Sequence, residues 1–142
     1  MLAVTILGNN SALPANGRNP TAQLLQTQSD AYLVDCGEGT QQQMAKYKIR
    51  TSKIAHIFIS HLHGDHYFGL IGLLTSMGLL GRTSAIHLYA APALQKIILL
   101  QLNAADTELP YPLYFHPILE EGIICNDGKI TVQSFAVNHR IA

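Results

Sequence analysis

The sequence predicts an α/β fold with one sheet packed under helices, and three observations carry that prediction. Short apolar, β-branched runs alternate with helix-forming stretches along the chain. Polar, chemistry-bearing residues follow directly on the ends of those runs, as they do at the carboxyl ends of strands in such a sheet. Composition agrees, because 48% hydrophobic against 13% charged residues suffices for a buried core and excludes a disordered tail. At 142 residues the chain makes one domain or part of one.

Residues 2–7 read as a buried strand, ended by Gly8-Asn9-Asn10-Ser11. A loop rich in turn formers follows, from Ala12 through Pro14 to Pro20. Residues 21–26 and 31–34 read as two strands about a turn at Gln28-Ser29-Asp30. The second ends in Asp35-Cys36-Gly37-Glu38-Gly39, and Thr40 then caps a helix through Lys46. Residues 54–59 form the next strand, and residues 66–80 a largely buried helix closed by Gly81. A strand over 85–89 precedes a helix from Pro92 to about Asn103, since proline is favoured in a first turn. After an irregular stretch, 113–116 is a short strand, and 123–125 and 129–137 flank an Asn126-Asp127-Gly128 hairpin turn. The last strand delivers Asn138-His139-Arg140 and the sequence stops, so the chain reads as truncated.

Nine basic residues balance nine acidic ones, so no global basic field advertises nucleic acid. The local cluster Lys46, Lys48, Arg50 and Lys53 reads as a solvated helix end rather than a phosphate contact. Cys36 and Cys125 lie far apart, outside any CxxC spacing, and read as free thiols of a reducing compartment. The first residues form a strand rather than a leader, and the apolar tract within 70–80 is too short and glycine-broken to span a bilayer. A cytoplasmic protein without a membrane segment is expected.

The stretch that carries chemistry follows the 54–59 strand. After Ser60 come His61, His63, Asp65 and His66 in the order H-x-H-x-D-H. Period-two alternation in an extended segment points His61 and His63 the same way, and Asp65 and His66 fall where a helix can begin. Two adjacent metal ions suit that arrangement better than one, with a mononuclear site as the competing reading. Imidazole and carboxylate fit zinc or another borderline first-row cation, and the lack of thiolates argues against a closed structural site. Such ions polarise a phosphoryl or acyl oxygen and activate water near neutral pH. Asp65 is the candidate proton acceptor as well as a ligand, and His139 at its own strand end is the candidate third ligand beside His61 and His63. His56, His87 and His116 read as packing residues.

H-x-H-x-D-H after an apolar strand, with an upstream strand ending in Asp35, resembles the metallo-β-lactamase superfamily. Val34-Asp35-Cys36-Gly37-Glu38-Gly39-Thr40-Gln41, the opening Leu7-Gly8…Ser11-Ala12-Leu13-Pro14 and Arg18-Asn19-Pro20 are similar to ribonuclease Z within it. The resemblance implies the N-terminal half of an αββα sandwich, a mixed sheet with helices on one face, and an endoribonuclease that removes the 3′ trailer of precursor tRNA. It implies two zinc ions, with manganese as the alternative. His61, His63 and His139 would hold one and Asp65 and His66 the other, with Asp65 catalytic and Asp35 supporting the site from behind. The alternative for Asp35 is a helix-capping carboxylate, a role that can coexist with the first. Arg18 and Asn19 would contact RNA, although Asn16 stands where the family loop has a lysine. The resemblance covers the first half of the family's length, so a bridging aspartate, a last histidine and a tRNA-gripping arm are expected beyond residue 142. The 142 residues alone are then expected to be weakly active or inactive. A half-sandwich leaves its inner apolar face uncovered, which predicts a homodimer or poor solubility. Two alternatives stay open: another hydrolase of the same fold (a thioesterase, an arylsulfatase-like enzyme or a small phosphodiesterase), and a non-catalytic half-domain.

Overall fold

The structure is a computed structural model and describes residues 1–13 and 15–139, so Pro14 and Arg140 lie outside the described residues. Six strands form one sheet in the order β1 (Ala3–Gly8), β2 (Ala22–Gln26), β3 (Ala31–Val34), β4 (Ile54–Phe58), β5 (Ile86–Ala90) and β6 (Leu113–Pro117). β1, β2 and β3 pair antiparallel in turn, and β3 through β6 are parallel, which makes the sheet mixed as the family resemblance implies. Parallel neighbours require crossovers, and helices supply two of them: α3 (Leu70–Leu79) joins β4 to β5 and α4 (Ala93–Ala104) joins β5 to β6. A further helix, α1 (Thr40–Lys46), lies between β3 and β4.

Alternation along each strand divides the core in two. One face buries Leu24, Leu33, Ile57 and Leu88 against Met44 of α1, Leu70, Leu73, Leu74 and Met77 of α3, and Leu94 and Ile98 of α4. The opposite face presents Tyr32, Phe58 and Tyr89, and is covered by the hairpin β7 (Gly122–Asn126) and β8 (Thr131–Ser134) through Cys125, Ile124, Ile130 and Val132. The hairpin is a separate two-stranded sheet, so side chains rather than a shared ladder hold it in place.

Four sequence expectations need correction. Residues 2–7 are not a buried strand: β1 is the sheet edge, and Val4 and Ile6 are more than half exposed on the hairpin side. The helix over 66–80 is two, a short α2 (Gly64–Tyr67) and then α3, because the chain turns at Phe68-Gly69 to hydrogen-bond the loop after β3. The cap of α1 is Gly39 at φ 80, and the Thr40 hydroxyl instead donates to the Gly37 carbonyl. The last strand stops at Ser134 rather than Val137, and the residues from there to His139 pair with no strand. The Lys46, Lys48, Arg50 and Lys53 cluster leads into the amino end of β4, opposite the histidine-rich loop at its carboxyl end. Among the described residues no helix is long and apolar enough to cross a membrane.

The hairpin tip is fastened by one carboxylate. Asp127 accepts from the Tyr32 hydroxyl at 2.5 Å and from the amides of Lys129 and Ile130, and it lies 4.0 Å from His56 Nε2. Burial pushes its pKa up, but these donors and His56 outweigh burial and hold it at about 2. Its folded-state pKa is thus below the unfolded value, so its stabilisation is complete above about pH 4 and is lost as pH falls toward 2. Wild type should exceed Asp127→Asn in urea stability at pH 5 by on the order of 1 kcal/mol, solvent screening included. That gap should shrink as pH falls from about 4 through about 2, and a gap constant with pH would contradict the assignment.

Candidate metal centre

The carboxyl ends of the parallel strands β3 and β4 build the site. Asp35 N–H continues their ladder to the Phe58 carbonyl at 2.8 Å, which sets Asp35 beside Ser60. Asp35 then turns left-handed, at φ 57, a conformation aspartate tolerates better than most residues. The turn sends the Cys36 amide to the His66 carbonyl at 2.8 Å, and the Gly69 amide returns to the Cys36 carbonyl at 2.9 Å. The two loops approach so closely that a Cβ on Gly37 would sit 2.4 Å from the Asp65 carbonyl oxygen, and one on Gly69 2.2 Å from that of Gly37. Glycine at both positions is a steric requirement. Gly37→Ala should cost about 1–3 kcal/mol in a denaturant melt, and an unchanged midpoint would show that the loops can part.

Asp35 is 4% exposed, and both its oxygens are used. Oδ1 accepts the Ser60 amide at 2.8 Å, while Oδ2 accepts the Ser60 hydroxyl at 3.0 Å and His66 Nδ1 at 2.7 Å. An ionised carboxylate only accepts, so His66 carries a proton on Nδ1, and in the neutral ring that a metal needs the bare nitrogen is Nε2, 3.6 Å from Asp65 Oδ2. With its proton given to Asp35, the Ser60 hydroxyl can accept from His61 Nδ1 at 3.2 Å, which leaves His61 Nε2 bare as well. That nitrogen lies 3.0 Å from His63 Nδ1. Burial first, and then the neighbouring His66, His139 and His63, keep the His61 pKa below its ordinary value, which favours the neutral ring a metal needs.

His139 arrives from the segment after β8. Its ring centroid is 4.8 Å from that of His61 and 5.0 Å from that of His63. Among the described residues, His61, His63 and His139 are the group whose ligand atoms all fall within 4.8 Å of one another. Asp65 and His66 form a second pair beside them, since the His61 and His66 rings are 3.9 Å apart. Nitrogen and carboxylate donors so arranged fit a divalent first-row ion. The five residues of the sequence motif and its distant histidine are therefore brought together. Asp35 caps no helix here.

Arg18 and Asn19 lie on a neighbouring loop. The Arg18 amide closes a turn on Ala15 at 2.9 Å, and the Asn19 side chain reaches the Glu38 carbonyl at 3.5 Å beside Gly39. His56, His87 and His116 stay away from the ligand group. They stack on the hairpin face, with His56 and His87 centroids 5.1 Å apart and His87 Nδ1 2.9 Å from His116 Nε2. Ser60 was not singled out from the sequence. Its signal was a lone hydroxyl between an apolar strand and the first histidine.

A family model described as Anti-Pycsar protein Apyc1 matches residues 2–139. The chain belongs to that family. Its curated relatives include ribonuclease Z of Bacteroides fragilis, 39% identical over 138 residues, which is 96% of this chain and 45% of the relative. Human tRNase Z, short form, superposes with a TM-score of 0.90 at 31% identity, over 99% of this chain and 62% of that one. The metallo-β-lactamase fold protein YhfI from Bacillus subtilis matches with a TM-score of 0.64 at 18% identity, over 93% of this chain and 56% of its own, and shows the fold alone. The chain spans about half the length of the curated relatives it matches. The resemblance to ribonuclease Z thus holds over nearly the whole chain, and the metallo-β-lactamase-type fold with it.

Replacing Asp35 with Ala should weaken zinc binding about 10- to 100-fold in a competition titration, since the His66 ring and the Ser60 amide lose their acceptor. Affinity within twofold of wild type would show that the ligand loop orients itself.

Proposed function

We propose that these residues are the first half of a metallo-β-lactamase-type hydrolase domain whose whole-length protein is a zinc-dependent endoribonuclease acting on precursor tRNA in the cytoplasm. The observation that carries the metal reading is the meeting of His61, His63 and His139 beside Asp65 and His66, with Asp35 behind them. The nuclease reading is supported by relatives named ribonuclease Z at 37–41% identity across nearly the whole chain.

In this reading His61, His63 and His139 hold one zinc, and Asp65 and His66 contribute to a second, with manganese as the alternative ion. When bound, the ions polarise the phosphodiester and lower the pKa of the attacking water toward about 7. The chain's own contribution is arrangement and proton transfer. Asp35 and Ser60 fix the His66 and His61 rings so that the metal-facing nitrogens stay unprotonated. Asp65 keeps Oδ2 against His66 and takes the water's proton on its other oxygen. Arg18 and Asn19 sit on the loop that would meet the RNA backbone near the cut, and the product keeps a 3′-hydroxyl on the tRNA.

A homodimer fits Val4, Ile6, Ile123, Phe135 and Val137, apolar side chains that are each more than half exposed. Residues 1–142 alone are expected to turn over weakly or not at all, because among the described residues Asp65 and His66 are what they offer the second ion. Precursor tRNA cleavage by the whole-length protein tests the reading. Cleavage at the 3′ trailer is expected, with a loss of at least about 10³-fold in Asp65→Ala at unchanged melting temperature. A protein that cleaves a generic phosphodiester but leaves precursor tRNA intact would contradict the ribonuclease reading and favour another hydrolase of this fold. Undiminished turnover in Asp65→Ala would remove Asp65 from the chemistry.

A further inference from the structure

We infer that the β7–β8 hairpin is the positioning element of the third metal ligand, with Asp127 at its tip and Glu121 at its open end holding the segment that delivers His139 to His61 and His63. The inference rests on reading those three histidines as the ligands of one ion.

His139 differs from the other ligands in how it is held. His61, His63, Asp65 and His66 lie on one loop and the short α2 that continues it, stitched to the β3 loop by backbone hydrogen bonds. His139 comes five residues after β8 ends, from a stretch that joins no ladder. A two-stranded hairpin is at best marginal by itself, so its placement depends on what fastens it to the sheet. At the tip, the Tyr32 hydroxyl donates to Asp127 at 2.5 Å and Lys129 Nζ reaches Asp30 Oδ2 at 2.5 Å, both on or beside the first residues of β3. Midway, Cys125 is buried against Tyr32, Phe58 and Tyr89. At the open end, Glu121 Oε1 accepts the Ala136 amide at 2.7 Å, and the Ser134 hydroxyl is within reach of the Glu120 carbonyl at 3.1 Å.

The hairpin therefore runs the length of the sheet, from the amino end of β3 to the carboxyl end where the ligands gather. Strand β3 serves the centre twice. Asp35 acts on the ligand loop directly, and Tyr32, three residues earlier, acts on His139 through the hairpin. The Glu121 contact falls three residues before His139, so it fixes where that ligand begins its approach.

Tyr32 and Glu121 would be positioning residues, not ligands, and an epistasis experiment separates that role from a general one in folding. Cobalt(II) is titrated into the chain and followed by its visible absorption. Tyr32→Phe and Glu121→Ala should each weaken binding about tenfold, while Glu121→Gln, which keeps an oxygen acceptor for the Ala136 amide, should bind as wild type does. In a His139→Ala background, Tyr32→Phe and Glu121→Ala should cause no further loss. Unchanged affinity with His139 present would overturn the inference, as would an equal loss with and without His139. Wild type taking up no cobalt would overturn the metal reading, and this one with it. Glu121 is exposed, so its variants report even where Tyr32→Phe does not fold.

Discussion

The Asp35 carboxylate is the constraint on which the rest of the centre depends. It stands at the end of a buried strand, beside the end of the parallel strand that feeds the His61–His66 stretch, and it turns both oxygens on that stretch. Burying an ionised group is costly unless it is hydrogen-bonded, and here the bonds come from Ser60 and from the candidate ligand His66. The Ser60 amide fixes where the loop leaves the sheet, and the Ser60 hydroxyl and the His66 ring fix two imidazole tautomers. A metal site needs bare nitrogens aimed at a common point before any ion arrives, and one carboxylate arranges two of them.

The two faces of the sheet divide the remaining work. The helical face carries the larger core and makes the sheet rigid, with Tyr111 tying the β6 approach to α3 through a hydrogen bond to the Leu74 carbonyl at 2.6 Å. The hairpin face is thinner and more polar. Its Tyr32, His56, His87, Tyr89 and His116 rings stack across neighbouring strands, and burial leads the causes that lower the His56 and His116 pKa values. Stacked rings of this kind pack as aromatics, which explains how imidazoles can line a sheet face away from the candidate metal centre.

Much of this was legible in the sequence because local and tertiary signals agree. The β-branched run 54–59, the glycines after Asp35 and the H-x-H-x-D-H spacing each have a local cause, and the strands they predict lie within a residue or two of those observed. What was not legible depends on partners distant in sequence. The turn at Phe68-Gly69 exists because the Cys36 carbonyl waits more than thirty residues upstream, so a continuous apolar periodicity misread it as one helix. β1 looked buried because its composition is apolar, whereas sheet order makes it an edge. Ser60 and Tyr32 carry no motif, and their roles follow from a carboxylate 25 residues away in one case and 95 in the other.

The central claim is that a cation here is bound by imidazoles from two separated parts of the chain and by no thiolate. X-ray absorption of the protein loaded with one zinc per chain tests it most directly. The account predicts a shell of nitrogen and oxygen donors at about 2.0–2.1 Å, with the outer-shell scattering of three imidazoles that falls to two in His139→Ala. A sulfur shell near about 2.3 Å, or a spectrum that His139→Ala leaves unchanged, would contradict it.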